Sequence, residues 1–325
     1  MNNNKIISLF SGAGGMDLGF HKAGFKVIWA NEYDKFVHPT YQNFFKLPHN
    51  CLDTRSITDI PNDSIPKNID GLIGGPPCQS WSEGGSRRGI KDKRGKLIED
   101  YIRIVKHSKP KFFVIENVKG LINKRNKHIY NDVIKELGEL GYSITPKLLN
   151  ASDYGVPQDR KRIFIVGYLR KVFNISFEFP KKSKNKKNLE VIRYLEDFPI
   201  GYNAVNNHDV DNSSFSYIYM SRNRVRNWHE QSYTILASQR HIPIHPSFPK
   251  MLRVKKDVMK FKKDYEYRRL SIRECAEIQT FPKNFKFIYS STVHGYKMVG
   301  NAVPVTLAFK IAKKIKIDLL NLKST

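Results

Sequence analysis

A cysteine, a glutamate, two arginines and a glycine-rich turn are the residues of this chain best suited to chemistry. Cys78 follows Gly74-Gly75-Pro76-Pro77, directly after the apolar stretch Gly71-Leu72-Ile73. A free thiol more often packs as a small hydrophobe. Here a stiff Pro-Pro loop at the end of a buried strand would instead present it as a nucleophile, so its neighbours must decide. Glu116-Asn117-Val118 closes the apolar run 112–115 and places a carboxylate at the same strand edge, as an acid or a hydrogen-bond anchor. Gln158-Asp159-Arg160-Lys161-Arg162 leads into another strand, with Arg160 and Arg162 two residues apart and so on one side. Paired guanidinium groups suit phosphate or a carbonyl oxygen.

Phe10-Ser11-Gly12-Ala13-Gly14-Gly15 follows the first strand and opens the first helix, where glycines let backbone approach a ligand closely. The spacing misses the dinucleotide fingerprint, because Asp17 occupies the third glycine position. Glu32 ends the second strand, where an acid can grip ribose hydroxyls. An adenosine-containing cofactor other than NAD is expected.

These groups need a frame to bring them together. Apolar runs predict strands over 5–10, 26–33, 71–74, 112–115 and 163–168. Helical spacing predicts helices over 16–23, 97–105 and 129–140, the last stopped by Gly141. Alternating strands and helices imply an α/β fold with a mostly parallel, doubly wound sheet and sites at the strand ends. The rhythm is lost after Leu169. The run 181–188, rich in lysine, reads as a solvated boundary, and 203–263 is irregular and rich in Arg, His, Tyr, Asn and Pro. Helices return over 271–279 and 304–322. The expected organisation is a catalytic and cofactor-binding domain over 1–172, a smaller irregular domain with hinge over 173–287, and a C-terminal segment over 288–325 that returns to the first.

The 325 residues are 40% hydrophobic, enough for a proper core, and carry a net charge of +26. Such a charge points to a polyanion, most simply nucleic acid, although richness in Lys, Asn and Ile together also fits an AT-biased coding sequence. Cys51, Cys78 and Cys275 lie far apart without Cys-x-x-Cys spacing, which argues against a structural zinc site and a disulfide framework; no metal is expected. No apolar run is long enough to span a bilayer, and no signal peptide is evident, so a cytoplasmic protein is expected.

Phe-Ser-Gly-Ala-Gly-Gly, Gly-Gly-Pro-Pro-Cys-Gln, Glu-Asn-Val, Gln-x-Arg-x-Arg and Gly300-Asn301-Ala302-Val303-Pro304-Val305 occur here in one order. In that order they resemble the DNA (cytosine-5) methyltransferase family, over residues 9–305. The resemblance implies a Rossmann-like domain dependent on S-adenosylmethionine, with a smaller target-recognition domain. Phe10, Gly12, Gly14 and Gly15 would cradle the cofactor, Glu32 would hold its ribose, and Asp53 would reach the adenine amino group. Pro76, Leu97 and Asn301 would complete the pocket. Around Asp53 the chain reads Cys51-Leu52-Asp53-Thr54, where the family more often shows Gly-Asp-Ile.

By the same resemblance Cys78 would add to carbon 6 of a flipped cytosine. Glu116 would bind ring nitrogen 3 and the exocyclic amine, and Arg162 the carbonyl oxygen, with Arg160 helping to place it. Arg222, Arg224 and Arg226 alternate within 220–228 and would project to one face of an extended segment; with Arg240 they are the expected DNA contacts. Tyr265-x-Tyr267-Arg268-Arg269-Leu270 and Arg273-Glu274-Cys275 match the segment that packs beside that domain, which makes Cys275 a core residue. Overall the chain is most similar to methyltransferases specific for GGCC. That implies a monomer acting on double-stranded DNA, with a restriction endonuclease as its genetic partner and S-adenosylhomocysteine as its product. The rival expectations are a tRNA cytosine methyltransferase and a non-catalytic DNA-binding protein.

Overall fold

The computed structural model describes residues 4–48, 51–77 and 97–322; Cys78 lies outside them. Among the described residues, seven strands form one sheet: β1 (Lys5–Leu9), β2 (Lys26–Asn31), β3 (Leu52–Asp53), β4 (Gly71–Gly74), β5 (Phe112–Val118), β6 (Tyr142–Asn150) and β7 (Lys161–Leu169). Their order is β3-β2-β1-β4-β5-β7-β6. The first five are parallel, which is the doubly wound frame expected. β7 runs antiparallel to β5 and β6, as a hairpin-like margin. The strand order switches direction between β1 and β4, which opens a crevice at the carboxyl ends of the parallel strands.

Both faces of the sheet are covered, because its strands are apolar on both sides. One face packs Ile6, Phe112, Val114, Phe164 and Val166 against α1 (Gly15–Lys22) and α7 (Val305–Asn321). The other packs Ile7, Leu9, Leu72, Phe113 and Ile115 against α3 (Leu97–Ser108) and α4 (Lys127–Glu139). Burial of Tyr101, Ile104 and Val105 on α3 follows their helical spacing.

A third core joins α5 (Ile272–Ile278) and α6 (Thr292–Asn301) to the phenylalanines 281, 285 and 287 and to the turn Leu189–Asp197. Ala13, Leu18 and Val37 belong to it too, so this region is built directly onto the glycine-rich turn. α2 (His38–Phe45) lies beside it, with Phe44 stacked near Phe285. A fourth, small core of Tyr219, Val225, Ile244 and Met251 holds the irregular region together. Against it lies a two-stranded ribbon, β8 (Leu252–Lys255) and β9 (Val258–Lys260).

The lysine-rich run 181–188 is less free than its composition implies. Lys182 and Lys186 both reach Asp153, at 2.9 and 3.4 Å, and Ser183 accepts from Lys310. The buried turn Ala151–Tyr154 offers a carboxylate that the sequence reading left without a role. Cys275 is fully buried, and burial pushes its thiol well up. No described helix is long and apolar enough to cross a membrane.

Candidate active site

At the carboxyl end of β1 the chain turns sharply. Phe10 (φ +53°), Gly12 (+54°) and Gly14 (+80°) all adopt left-handed backbone, which a phenylalanine holds only at a strain. The Gly12 N–H donates to Glu32 Oε2 at 2.8 Å, and the Asp34 N–H donates to Glu32 Oε1 at 2.7 Å. Glu32 therefore ties the glycine turn to the loop after β2. Burial pushes its carboxyl up, against the pull of the two N–H donors. Space beside the Gly12 α-carbon is open. Tyr33, next to Glu32, is 72% exposed and offers a free aromatic ring at this edge. Its exposure leaves no trace in the sequence pattern. An acid with unused lone pairs, an open glycine and a flat ring fit an adenosine-type ligand.

A Cβ on Gly15 would lie 2.4 Å from the Val303 carbonyl oxygen, so the turn and the segment after Asn301 touch backbone to backbone. Asn301, the last residue of α6, is exposed beside them. Pro76 follows β4, and Leu97 opens α3. Asp53 ends β3 at the same sheet edge, but its carboxylate is gripped by Arg55 at 3.0 and 2.6 Å. Although burial raises it, that guanidinium holds Asp53 below the usual carboxylate range. As placed, Asp53 serves Arg55 first.

The second half of the site lies across the crevice. Glu116, 9% exposed, projects from β5, and Arg162 Nε stands 3.2 Å from its Oε1. The antiparallel register sets Val118 opposite Arg162, which is why the two side chains meet. Burial pushes the Glu116 carboxyl up, and Arg162 and then Arg160 counter it. A Cβ on Gly75 would come within 3.3 Å of Glu116 Oε2, and Asn117 Nδ2 donates to the Pro76 carbonyl at 3.2 Å. The residues that lead into Cys78 thus run beside the Glu116 carboxylate.

Arg160 does something different from its neighbour. It is 2% exposed, with Nη1 on the Ile235 carbonyl (3.0 Å) and Nη2 on the Gly300 carbonyl (2.9 Å). The expected pair is therefore split: Arg162 faces Glu116, while Arg160 is spent on backbone. Gln158 and Gln279, missed by the sequence reading, complete this junction. Gln158 Nε2 donates to Gln279 Oε1 (3.0 Å), and its Oε1 accepts from the Ile235 N–H (3.0 Å). Gln279 Nε2 in turn donates to the Val299 and Ala302 carbonyls. Gly300 fits because a Cβ there would strike the Leu236 carbonyl group at 2.3 Å. Two buried amides and a guanidinium join β7, the strand-like segment at 235 and the end of α6 at one point. In the sequence Gln158 opens the Gln-x-Arg-x-Arg run without showing what it bonds, and nothing marks Gln279.

The alternating arginines divide as well. Val225 is buried and bridges to Ile244, so Arg224 and Arg226 do point the other way, as period two requires. Arg224 then folds back onto the Tyr219 and Ile218 carbonyls and over the Tyr219 ring. Arg226 pairs with Glu230 and Asp159 and covers Tyr233. Arg222 and Arg240 are exposed, with no ion-pair partner among the described residues. Extended backbone aligned the three side chains, but nearby carbonyls and acids captured two of them. Among the described residues no cluster of His, Cys, Asp or Glu could hold a metal ion.

This architecture has counterparts. The family model for C-5 cytosine-specific DNA methylase matches residues 4–317. The chain is 52% identical to the Type II methyltransferase M.FnuDI of Fusobacterium nucleatum, over 97% of this chain and 95% of that one. It is 48% identical to the Type II methyltransferase M.NgoPII of Neisseria gonorrhoeae, over 98% and 97% of the two chains. The fold is shared with the solved structure of an Entamoeba histolytica methyltransferase, EhMeth, at a TM-score of 0.72 and 18% identity, over 98% and 99% of the two chains.

Proposed function

This chain belongs to the C-5 cytosine-specific DNA methylase family and is a DNA (cytosine-5) methyltransferase; from that premise we propose that it methylates a flipped cytosine within GGCC in duplex DNA. The methyl donor would be S-adenosylmethionine, whose sulfonium supplies an electrophilic methyl group when bound. Glu32, the 12–15 turn, Pro76, Leu97 and Asn301 would hold it, with the Tyr33 ring against the adenine. Asp53 would join them only by sharing its carboxylate with Arg55.

The observation that carries this reading is the Glu116–Arg162 pair packed against the segment leading to Cys78. Burial raises the Glu116 carboxyl, which favours sharing a proton with cytosine nitrogen 3, and its other oxygen would accept from the exocyclic amine. Arg162, beside it, faces the carbonyl oxygen and steadies the charge that develops across the ring. The Cys78 thiolate would add to carbon 6, forming the S–C6 bond and moving an electron pair onto carbon 5. Carbon 5 takes the methyl group. Loss of its proton then restores the ring double bond as the S–C6 bond breaks. Arg160 is a positioning residue in this scheme, since it reaches backbone only. Target contacts would come from Arg222 and Arg240, with Arg224 and Arg226 ordering the segment that carries them. Residues 1–172 would form the catalytic domain and 173–287 the recognition domain, with 288–325 returning to the first.

The reading also makes the chain the modification half of a restriction–modification pair, acting as a monomer in the cytoplasm. Bisulfite sequencing of plasmid from cells expressing the protein tests it, with methylation expected at GGCC alone. Methylation at another site would overturn the specificity. Transfer of labelled methyl groups to tRNA in place of duplex DNA would overturn the substrate.

A further inference from the structure

The β8–β9 ribbon has a role that the catalytic site does not absorb. Between residues 252 and 263 the chain has six cations (Arg253, Lys255, Lys256, Lys260, Lys262, Lys263) against one acid, Asp257. None of the six has an ion-pair partner among the described residues. Some lysines elsewhere are held by acids, as Lys111 by Asp70, Lys182 and Lys186 by Asp153, Lys297 by Asp34 and Lys314 by Asp318, whereas the six here are not. The ribbon is thus a concentrated, uncompensated positive charge.

Its inner side is anchored. Met259 packs into the small fourth core, and the Phe261 ring lies 4.8 Å from Phe215 and 4.3 Å from Tyr267. Alternation then turns Lys260, the last residue of β9, away from that core. β8 is exposed along its whole length, with Leu252 and Val254 about half open to solvent. β9 rests against the turn Tyr219–Ser221, which runs straight into Arg222. The charged ribbon therefore extends the surface that carries the expected target contacts. Lysines on an edge strand also discourage unwanted strand pairing. That purpose alone would not call for six cations next to the Arg222 segment.

We propose that the β8–β9 ribbon grips the phosphate backbone of duplex DNA flanking the methylation site, adding affinity without sequence information. The proposal rests on the reading that this chain acts on duplex DNA. Phosphate contacts release counterions, so each is read in the salt dependence of binding. The test compares the wild-type chain with Lys255→Gln/Lys256→Gln/Lys260→Gln. Affinity is measured across a salt series for a GGCC duplex barely longer than the site, and for one extended by about one helical turn on each side. On the long duplex the variant should lose about 0.9 from the slope of log K against log salt for each contact removed. On the short duplex its slope should match that of the wild type. A second variant, Lys22→Gln/Lys26→Gln/Lys67→Gln, removes equal charge from the amino ends of the parallel strands, away from the crevice, and should leave both slopes unchanged. An unaltered slope on the long duplex overturns the proposal, as does an equal loss on both duplexes or from both variants. Failure of the wild type to bind either duplex would instead refute the reading beneath it.

Discussion

Glu116 and Arg162 meet because an antiparallel strand is added to a parallel sheet, and the proposed reaction depends on that meeting. Glu116→Gln keeps the shape but cannot share its proton, so methyl transfer in single turnover should fall by about 10²–10⁴-fold. Cofactor binding, measured by calorimetry, should be unchanged, since Glu116 lies across the crevice from Glu32. Cys78→Ser should lose transfer altogether, and full activity in that variant would remove the nucleophile from the scheme. The arginines separate by what they touch. Arg222→Ala and Arg240→Ala should weaken DNA binding while leaving the thermal midpoint in place. Arg224→Ala strips a half-buried guanidinium from two carbonyls and an aromatic face, and should cost stability by about 0.5–1.5 kcal/mol. Melting curves beside binding curves will show whether the two pairs divide this way.

Among the elements, α5 carries a buried polar knot whose pH response can be worked out. Ser271 and Glu274 form a capping box at its start, and Glu274, fully buried, accepts two bonds from Arg268 at 2.9 and 2.8 Å. His245 Nε2 stands 3.4 Å from the same carboxylate, and the Ser247 N–H donates to His245 Nδ1. Nδ1 is thus an acceptor, and a neutral ring presents its Nε2 proton toward Glu274. Burial lowers His245 to about 4, with Arg268 and His208 nearby adding to the effect and Glu274 opposing it. The folded ring stays neutral where an unfolded one takes up a proton, so stability is full above about 6.5 and declines as pH falls toward 4. Asp17, buried against Tyr41 and raised to about 6, works with the opposite sign over an overlapping range. Urea unfolding at stepped pH should therefore show His245→Gln losing acid sensitivity relative to the wild type, rather than a flat profile in either. Glu274→Ala leaves Arg268 without its partner and should be far more severe, by about 3–5 kcal/mol.

The elements differ in how openly the sequence announces them. β1, β2, β4, β5 and β7 are unbroken apolar runs, because each is covered on both faces. β6 was missed: as the sheet margin it carries Pro146 and Lys147, which an edge strand tolerates and a central one does not. α6 was missed because Gly295 and Gly300 interrupt its pattern, and both are there for close packing against neighbours. At the site, the sequence singles out groups with chemistry of their own, and of these the structure brings Glu116 and Arg162 together while it turns Arg160 onto backbone carbonyls. The bonds of Gln158 and Gln279 are not legible there, since an amide acquires its role only from the carbonyls the fold sets around it.

For the whole molecule, the net charge of +26 is spread unevenly. Acids hold Lys111, Lys182 and Lys297, whereas Arg222, Arg240 and the β8–β9 cations stand unpaired among the described residues. DNA affinity should therefore drop steeply between low and physiological salt, as expected when several phosphates are contacted. A near-flat salt dependence in an electrophoretic or fluorescence titration would contradict a duplex DNA substrate.

The packing of α7 on α1 sets an order of events during folding. Phe20, Phe25 and Ile6, from the first strands and helix, share one core with Leu307, Ile311 and Ile315 from the last described helix. The glycine turn likewise finishes against Ala302 and Val303. Until α7 is made, that face of the sheet is only partly covered, by α1, and contacts of such long sequence separation form slowly. Through that interval the surface that α7 will cover stays open to chaperones and proteases, beside the glycine turn proposed to hold the cofactor.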